Sequence, residues 1–196
     1  MKRNTILSIL IIVINICLGQ TKDANNYIIF YEESNTAMYF KMGNSAHLDY
    51  YLPDKVKFGE FEYYAKIRHY TWGKIDTTYY REDDENYYHY DHRINKESIV
   101  LPKKVTLGQK WLEADSSWCY EIIGIDKQLQ TPARNYEDLI VIECIQLTGR
   151  DKLKSKEYHL HYANGIGLIG SETNGKLTSY LAEVKKSAKE GEKIGK

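Results

Sequence analysis

Trp118-Cys119-Tyr120-Glu121-Ile122-Ile123-Gly124-Ile125 and Asp138-Leu139-Ile140-Val141-Ile142-Glu143-Cys144-Ile145-Gln146-Leu147 are two runs dense in β-branched and aromatic residues. Such residues suit a pleated, half-buried surface. The loop between the runs carries Pro132 and Asn135, so the pair reads as an antiparallel hairpin. Leu101-Pro102 and Leu107-Gly108-Gln109-Lys110-Trp111 lead into it.

The composition agrees with that hairpin. There are 18 Tyr, three Trp and four Phe against three Pro, and no sustained helical period before the end of the chain. This predicts an all-β protein, a single curved antiparallel sheet forming an open or partly closed barrel with little helix. Upstream, Asn26 to Glu32 reads as a first strand and Ala37 to Lys41 as a second. His47 to Leu52 is a third, stopped by Pro53-Asp54. From Glu60 to Tyr70 the chain alternates, with Phe61, Tyr63, Ala65, Ile67 and His69 on one face and Glu62, Tyr64, Lys66, Arg68 and Tyr70 on the other. Only one of those faces suits a core. Ile75 to Arg81, Tyr87 to His92 and Glu157 to Ala163 are further strands. Asn174-Gly175 is a two-residue hairpin turn that pairs Gly167–Thr173 with Lys176–Val184. Leu177, Tyr180, Leu181 and Val184 also fit a helical stripe, but the turn favours strand.

The N-terminus has the form of an export signal: Met1-Lys2-Arg3, then an apolar run from Ile6 to Leu18. That run is too short to span a bilayer as a helix. Cleavage is expected after Gly19, which divides the chain into signal 1–19, β-domain 20–184 and charged tail 185–196. A lipid-modified Cys17 is the competing reading, although Ile16 stands where a small residue is usual. Without Lys2 and Arg3, 25 of the 27 basic residues face 27 acidic ones, a net charge of −2. Nothing there favours nucleic acid or an anionic membrane, and the mature chain has no transmembrane segment. The expected location is periplasmic, cell-surface or secreted.

Cleavage leaves Cys119 and Cys144 in a compartment that permits disulfides. If the loop closes symmetrically, with Ile125 facing Asp138, the two thiols lie directly opposite each other. A bond between them is therefore expected, two buried thiols or a bulged register being the alternatives.

Ten of the 18 tyrosines fall between Tyr50 and Tyr90, several in adjacent pairs. Each pair on a strand supplies one ring inward and one outward. Such rings pack across strands, or they line a groove for a ligand. Tyr63, Tyr79 and Tyr88 are the candidate ligand contacts. His159 and His161, two apart, share a strand face where a neighbouring carboxylate could complete a metal site, whereas His89 and His92, three apart, do not. Two-apart pairs arise by chance, so no metal or cofactor is assigned. No nucleophile elbow, phosphate loop, zinc-protease signature or dinucleotide fingerprint is present, and no catalytic residue is assigned.

Several short motifs, in order, resemble a group of exported bacterial β-proteins of unknown function, themselves distantly similar to the half-barrel of lipoprotein-carrier proteins. They are Tyr39 to Ser45, Thr78 to Arg81, Leu101-Pro102 with Leu107 to Trp111, Thr131-Pro132 to Asn135-Tyr136 with Leu139 to Ile142, and Tyr162 to Ile169. The chain departs from the pattern at Ala46-His47, where Trp followed by Thr or a similar residue is usual. The resemblance implies a curved antiparallel sheet and export, and it supplies no catalytic residue. The expected function is an exported, non-catalytic binding or accessory module of the cell envelope, taking a small apolar or glycan ligand or a protein partner. The alternative is an envelope hydrolase working near His89, Asp91, His159 and His161.

Overall fold

The computed structural model describes residues 19–30 and 36–186, and no helix is found among them. The expected signal and the last ten residues of the expected tail lie outside that range, apart from Gly19. The strands are β1 (Thr21–Asp23), β2 (Thr36–Met42), β3 (Ser45–Phe58), β4 (Phe61–Tyr70), β5 (Ile75–Glu82), β6 (Asn86–Asp91) and β7 (Lys96–Pro102). They continue with β8 (Lys104–Thr106), β9 (Lys110–Leu112), β10 (Trp118–Gln130), β11 (Asn135–Gln146), β12 (Glu157–Ala163), β13 (Gly167–Thr173) and β14 (Lys176–Lys186).

Twelve strands form one antiparallel sheet in the order β7-β6-β5-β4-β3-β2-β14-β13-β12-β11-β10-β9, while β1 pairs with β8 separately. Every neighbouring pair but one is a hairpin of consecutive strands. The exception is β14 against β2, which joins the two ends of the chain in the middle of the sheet. The sheet curls into a nearly closed barrel with one unsealed seam, between β7 and β9. Side chains bridge that seam where the backbone ladder does not: the Trp111 indole N–H donates to the Ile99 carbonyl at 3.0 Å, and the Ala114 N–H donates to Ser98 Oγ at 2.9 Å.

Of the segment expected to be the first strand, Asn26 to Glu32, residues 26–30 form an irregular plug instead, and residues 31 and 32 lie outside the described residues. After β1, Ala24 and Tyr27 are buried, and Ile28, Ile29 and Phe30 turn into the barrel. Phe30 stacks on Tyr64 at 4.8 Å and meets Tyr51 and Tyr87 edge-on. Tyr27 Oη donates to the Asp138 carbonyl at 2.7 Å, and Gly165 N–H to Asn26 O at 2.7 Å, so the plug's polar groups are anchored without a ladder.

Two other boundaries differ from expectation. β3 runs past Pro53-Asp54 to Phe58, because the register shifts between Tyr51 and Lys55 and the proline sits where no ladder donor is needed. β14 extends to Lys186, two residues past the expected Val184. The Asn174-Gly175 hairpin is present as expected, with φ of 51° and 68°, and it settles the last segment as strand.

The central hairpin is also real, but its register is not symmetric. Asp126 and Asp138 adopt left-handed φ of 55° and 60° near shifts in the ladder, and the Lys22 ammonium bridges both carboxylates. Asp tolerates that conformation better than most residues. The accumulated offset places Cys119 opposite Ile145 and Cys144 opposite Tyr120. A slip of one residue sends the two thiols to opposite faces, so both are free and the expected disulfide does not form. Cys144 is fully buried, and burial pushes its thiol up to about 12, whereas Cys119 is part-exposed.

Iodoacetamide at pH 8 should therefore label Cys119 in the folded protein and reach Cys144 only after denaturation. Intact mass should show no two-proton deficit; a deficit with both thiols protected would contradict this register.

Candidate functional site

Along β4, the face carrying Tyr64, Lys66 and Arg68 turns inward, and Tyr63, Ala65, Ile67 and His69 turn outward. The inward faces of the strands leave a cavity of about 570 Å³. Its apolar walls come from Ile28 and Ile29 of the plug, Met38 and Phe40 of β2, Ile142 of β11, Leu160 of β12 and Leu168 of β13. Ser171 and Ser179 face each other across β13 and β14, their hydroxyls 2.7 Å apart, and add a neutral polar strip.

A charged cluster stands on the β3–β4 wall. Asp49 lies directly opposite Arg68 in the ladder, and the guanidinium donates two hydrogen bonds to the carboxylate, both at 2.7 Å. Lys66 Nζ is 3.7 Å from the same carboxylate and sits over the Tyr80 ring at 4.8 Å. Burial alone would raise the Asp49 carboxyl, but the Arg68 hydrogen bonds and the Lys66 charge outweigh it and hold the group below the usual carboxylate range. His47 stacks on Phe40 at 4.8 Å, and its Nδ1 contacts Met42 Sδ at 3.0 Å. Its Nε2 is buried with no hydrogen-bond partner, 3.6 Å from Asp49 Oδ1. Burial and the neighbouring Arg68 push the imidazole down to about 4, so it is neutral at pH 7.

The loop between β11 and β12 closes over the cavity, contributing Lys154 and Ser155 to its lining. It is tied down across the seam. Arg150 pairs with Asp115, reaches Glu113 at 3.1 Å and lies 3.9 Å from Asp91 on β6. Asp151 accepts from the Trp118 indole at 2.8 Å and is 3.9 Å from Arg93, which itself pairs with Asp91. Glu113 also accepts from the Tyr120 hydroxyl and stands 3.6 Å from His89 Nε2. Burial would raise Glu113, yet His89, Tyr120 and Arg150 together bring it down to about 2. Asp91 falls to about 2 chiefly through its hydrogen bonds from Arg93.

Tyr63, Tyr79 and Tyr88 are brought together, but on the convex face and not on the wall of the cavity. Phe58 stacks on Tyr90 at 4.4 Å and meets Tyr79 edge-on at 4.8 Å, and Tyr63 lies 5.3 Å from Tyr90. Arg81 is sandwiched between Phe61 and Tyr88 and pairs with Glu97, to which Tyr63 donates at 2.6 Å. These rings are occupied with one another. The residues of the hydrolase reading are split between faces: His89 lines the cavity and Asp91 serves the seam, whereas His159 and His161 point outward from β12. Outside, the donor atoms of His159, Glu143 and Glu157 lie within 4.8 Å of one another, and His161 Nε2 is 2.9 Å from Glu172.

Sequence reasoning missed Asp49, Lys66, Arg68 and His47. The available signal was that His47 to Tyr51 and Lys66 to Tyr70 form one hairpin in which an acid directly faces a base. Compared with protein-family models, with curated proteins and with solved structures, the chain finds no match in any of the three.

Glu113 and Asp91 contribute ion-pair stability that is complete above about pH 4.5 and is lost as pH falls toward 2, because their folded values lie below the ordinary 4.5 and 3.8. Arg150→Met, which removes the guanidinium from the buried Glu113 and leaves it only Tyr120 and His89, should cost about 3 kcal/mol in urea unfolding at pH 7. The same comparison at pH 2.5 should give a clearly smaller difference, and an equal cost at both pH values would contradict the network described.

Proposed function

We propose that this chain is an exported, non-catalytic binding protein of the cell envelope that holds one small, largely apolar ligand inside its barrel. The observation that carries the reading is the cavity itself. Its volume falls within the range of roughly 300–1,000 Å³ usual for small-molecule sites, and its walls combine apolar side chains with a few convergent polar groups. The plug and the loop over the seam support it, because they enclose the space without filling it. The export half of the reading rests on the cationic start and apolar run at residues 1–18. Among the described residues, no helix is long and apolar enough to cross a membrane.

A neutral, environment-sensitive fluorophore such as N-phenyl-1-naphthylamine should brighten on binding and saturate at one per chain. Leu160→Trp, which places an indole in the lumen, should abolish the signal. It should leave the thermal midpoint within about 4 °C, equivalent to about 1 kcal/mol for a domain of this size. Tyr79→Ala on the convex face should keep full binding. The reverse pattern, binding lost with Tyr79→Ala and kept with Leu160→Trp, would move the site to the outer aromatic surface.

A further inference from the structure

The lumen has a polar end whose charge is not balanced from within. Asp49 is the sole carboxylate of the β3–β4 cluster among the described residues that line the cavity, yet two cations converge on it. Arg68 takes both carboxylate oxygens in a bidentate pair, which leaves Lys66 at 3.7 Å, outside hydrogen-bond distance and facing the cavity. The Lys66 side chain is only 14% exposed. Lys154 also reaches the lining, from the seam loop and not from this cluster; its side chain is 57% exposed and lies 3.5 Å from Asp151. Beside the cluster, His47 Nε2 is buried without a partner, on a side chain 4% exposed. An orphaned polar atom and a surplus cation, both enclosed, are each costly unless something arrives to meet them.

Building on the reading of the lumen as a ligand cavity, we infer that the ligand is an anionic amphiphile, its carboxylate or phosphate headgroup seated on Lys66 and Arg68 beside His47. Its apolar body runs along Met38, Ile142, Leu160 and Leu168. The headgroup supplies the charge that Asp49 leaves unmatched. It accepts from the Lys66 ammonium and from the guanidinium N–H groups that Asp49 does not use, and it can take a hydrogen bond from His47 Nε2 when that nitrogen carries the proton. The tail lies against those apolar side chains. A cationic amphiphile meets like charge at this end, and a neutral one leaves the cluster as it stands.

The test is displacement of the neutral fluorophore by four probes: dodecanoate, dodecyl phosphate, dodecanol and dodecyltrimethylammonium. Wild type should bind the two anions about tenfold or more tightly than dodecanol, as a charge-assisted contact in an enclosed site requires, and should bind the cation more weakly still. Lys66→Met should bring dodecanoate down to the level of dodecanol while leaving dodecanol within about twofold. Should that variant not fold, the wild-type probe series decides the matter alone. Equal affinity for dodecanoate and dodecanol would overturn the headgroup assignment while leaving the lumen as an apolar site. If none of the probes displaced the fluorophore, or the fluorophore itself did not bind, the binding reading would fall with it. Competition by acetate or inorganic phosphate as strong as by the dodecyl anions would also overturn the proposal, since the tail would then contribute nothing.

Discussion

A closed sheet of about eight strands is just wide enough for its own side chains to fill, and each added strand widens it. This barrel has twelve strands in its sheet, so its interior cannot be a packed core from end to end. Much of the structure follows from that excess. Residues 24–30 fold inward as a plug and place Phe30 among Tyr51, Tyr64, Tyr80 and Tyr87, and the loop carrying Arg150 and Lys154 covers another part of the opening. The space that remains after these additions is the cavity. A sheet that wide also has a closure problem, met at β14 and β2 by a backbone ladder with one shift and at β7 and β9 by side-chain hydrogen bonds.

The second consequence is electrostatic. Lys66 and Arg68 point into the barrel, toward Asp49 on β3, although β4 has an alternative, more apolar face. An interior of packed side chains would make that orientation very costly. Here the bidentate Asp49–Arg68 pair offsets much of the cost, and open volume lies beside it. On the outside, the apolar face of β4 is not wasted: Tyr63 and Ala65 are each 1% exposed beneath a layer made by Phe58, Tyr79 and Tyr90. The wall is therefore packed on its convex side and charged on its concave side.

How much of this was legible in the sequence depends on the range of the interaction involved. Local turn chemistry was readable: Asn174-Gly175 gave its hairpin, and Glu157–Ala163 is a strand with the expected bounds. Alternation in β4 was readable too, but not which face turns inward, because that depends on whether the barrel encloses a core or a cavity. Tyr27 to Phe30 carry strand-like residues, and only the presence of a barrel end to be filled makes them a plug. The Cys119 register failed for a different reason. Asp126 and Asp138 look like ordinary loop-side acids, yet their left-handed backbone and shared contact with Lys22 accompany the ladder shifts that turn the thiols apart. The seam network joins Asp91, Glu113 and Arg150 from three separate parts of the chain, and no spacing rule brings such residues together.

The most direct test of the account is to locate a bound ligand by NMR, using protein labelled with carbon-13 at its Ile and Leu methyl groups and unlabelled dodecanoate. Isotope-filtered contacts from the ligand chain to the methyls of Ile142, Leu160 and Leu168 are the predicted result, with the carboxylate end nearest Lys66. Contacts confined to Ile67 and Ile75 on the convex surface would contradict it, and the lumen would then be an incidental space and not the site.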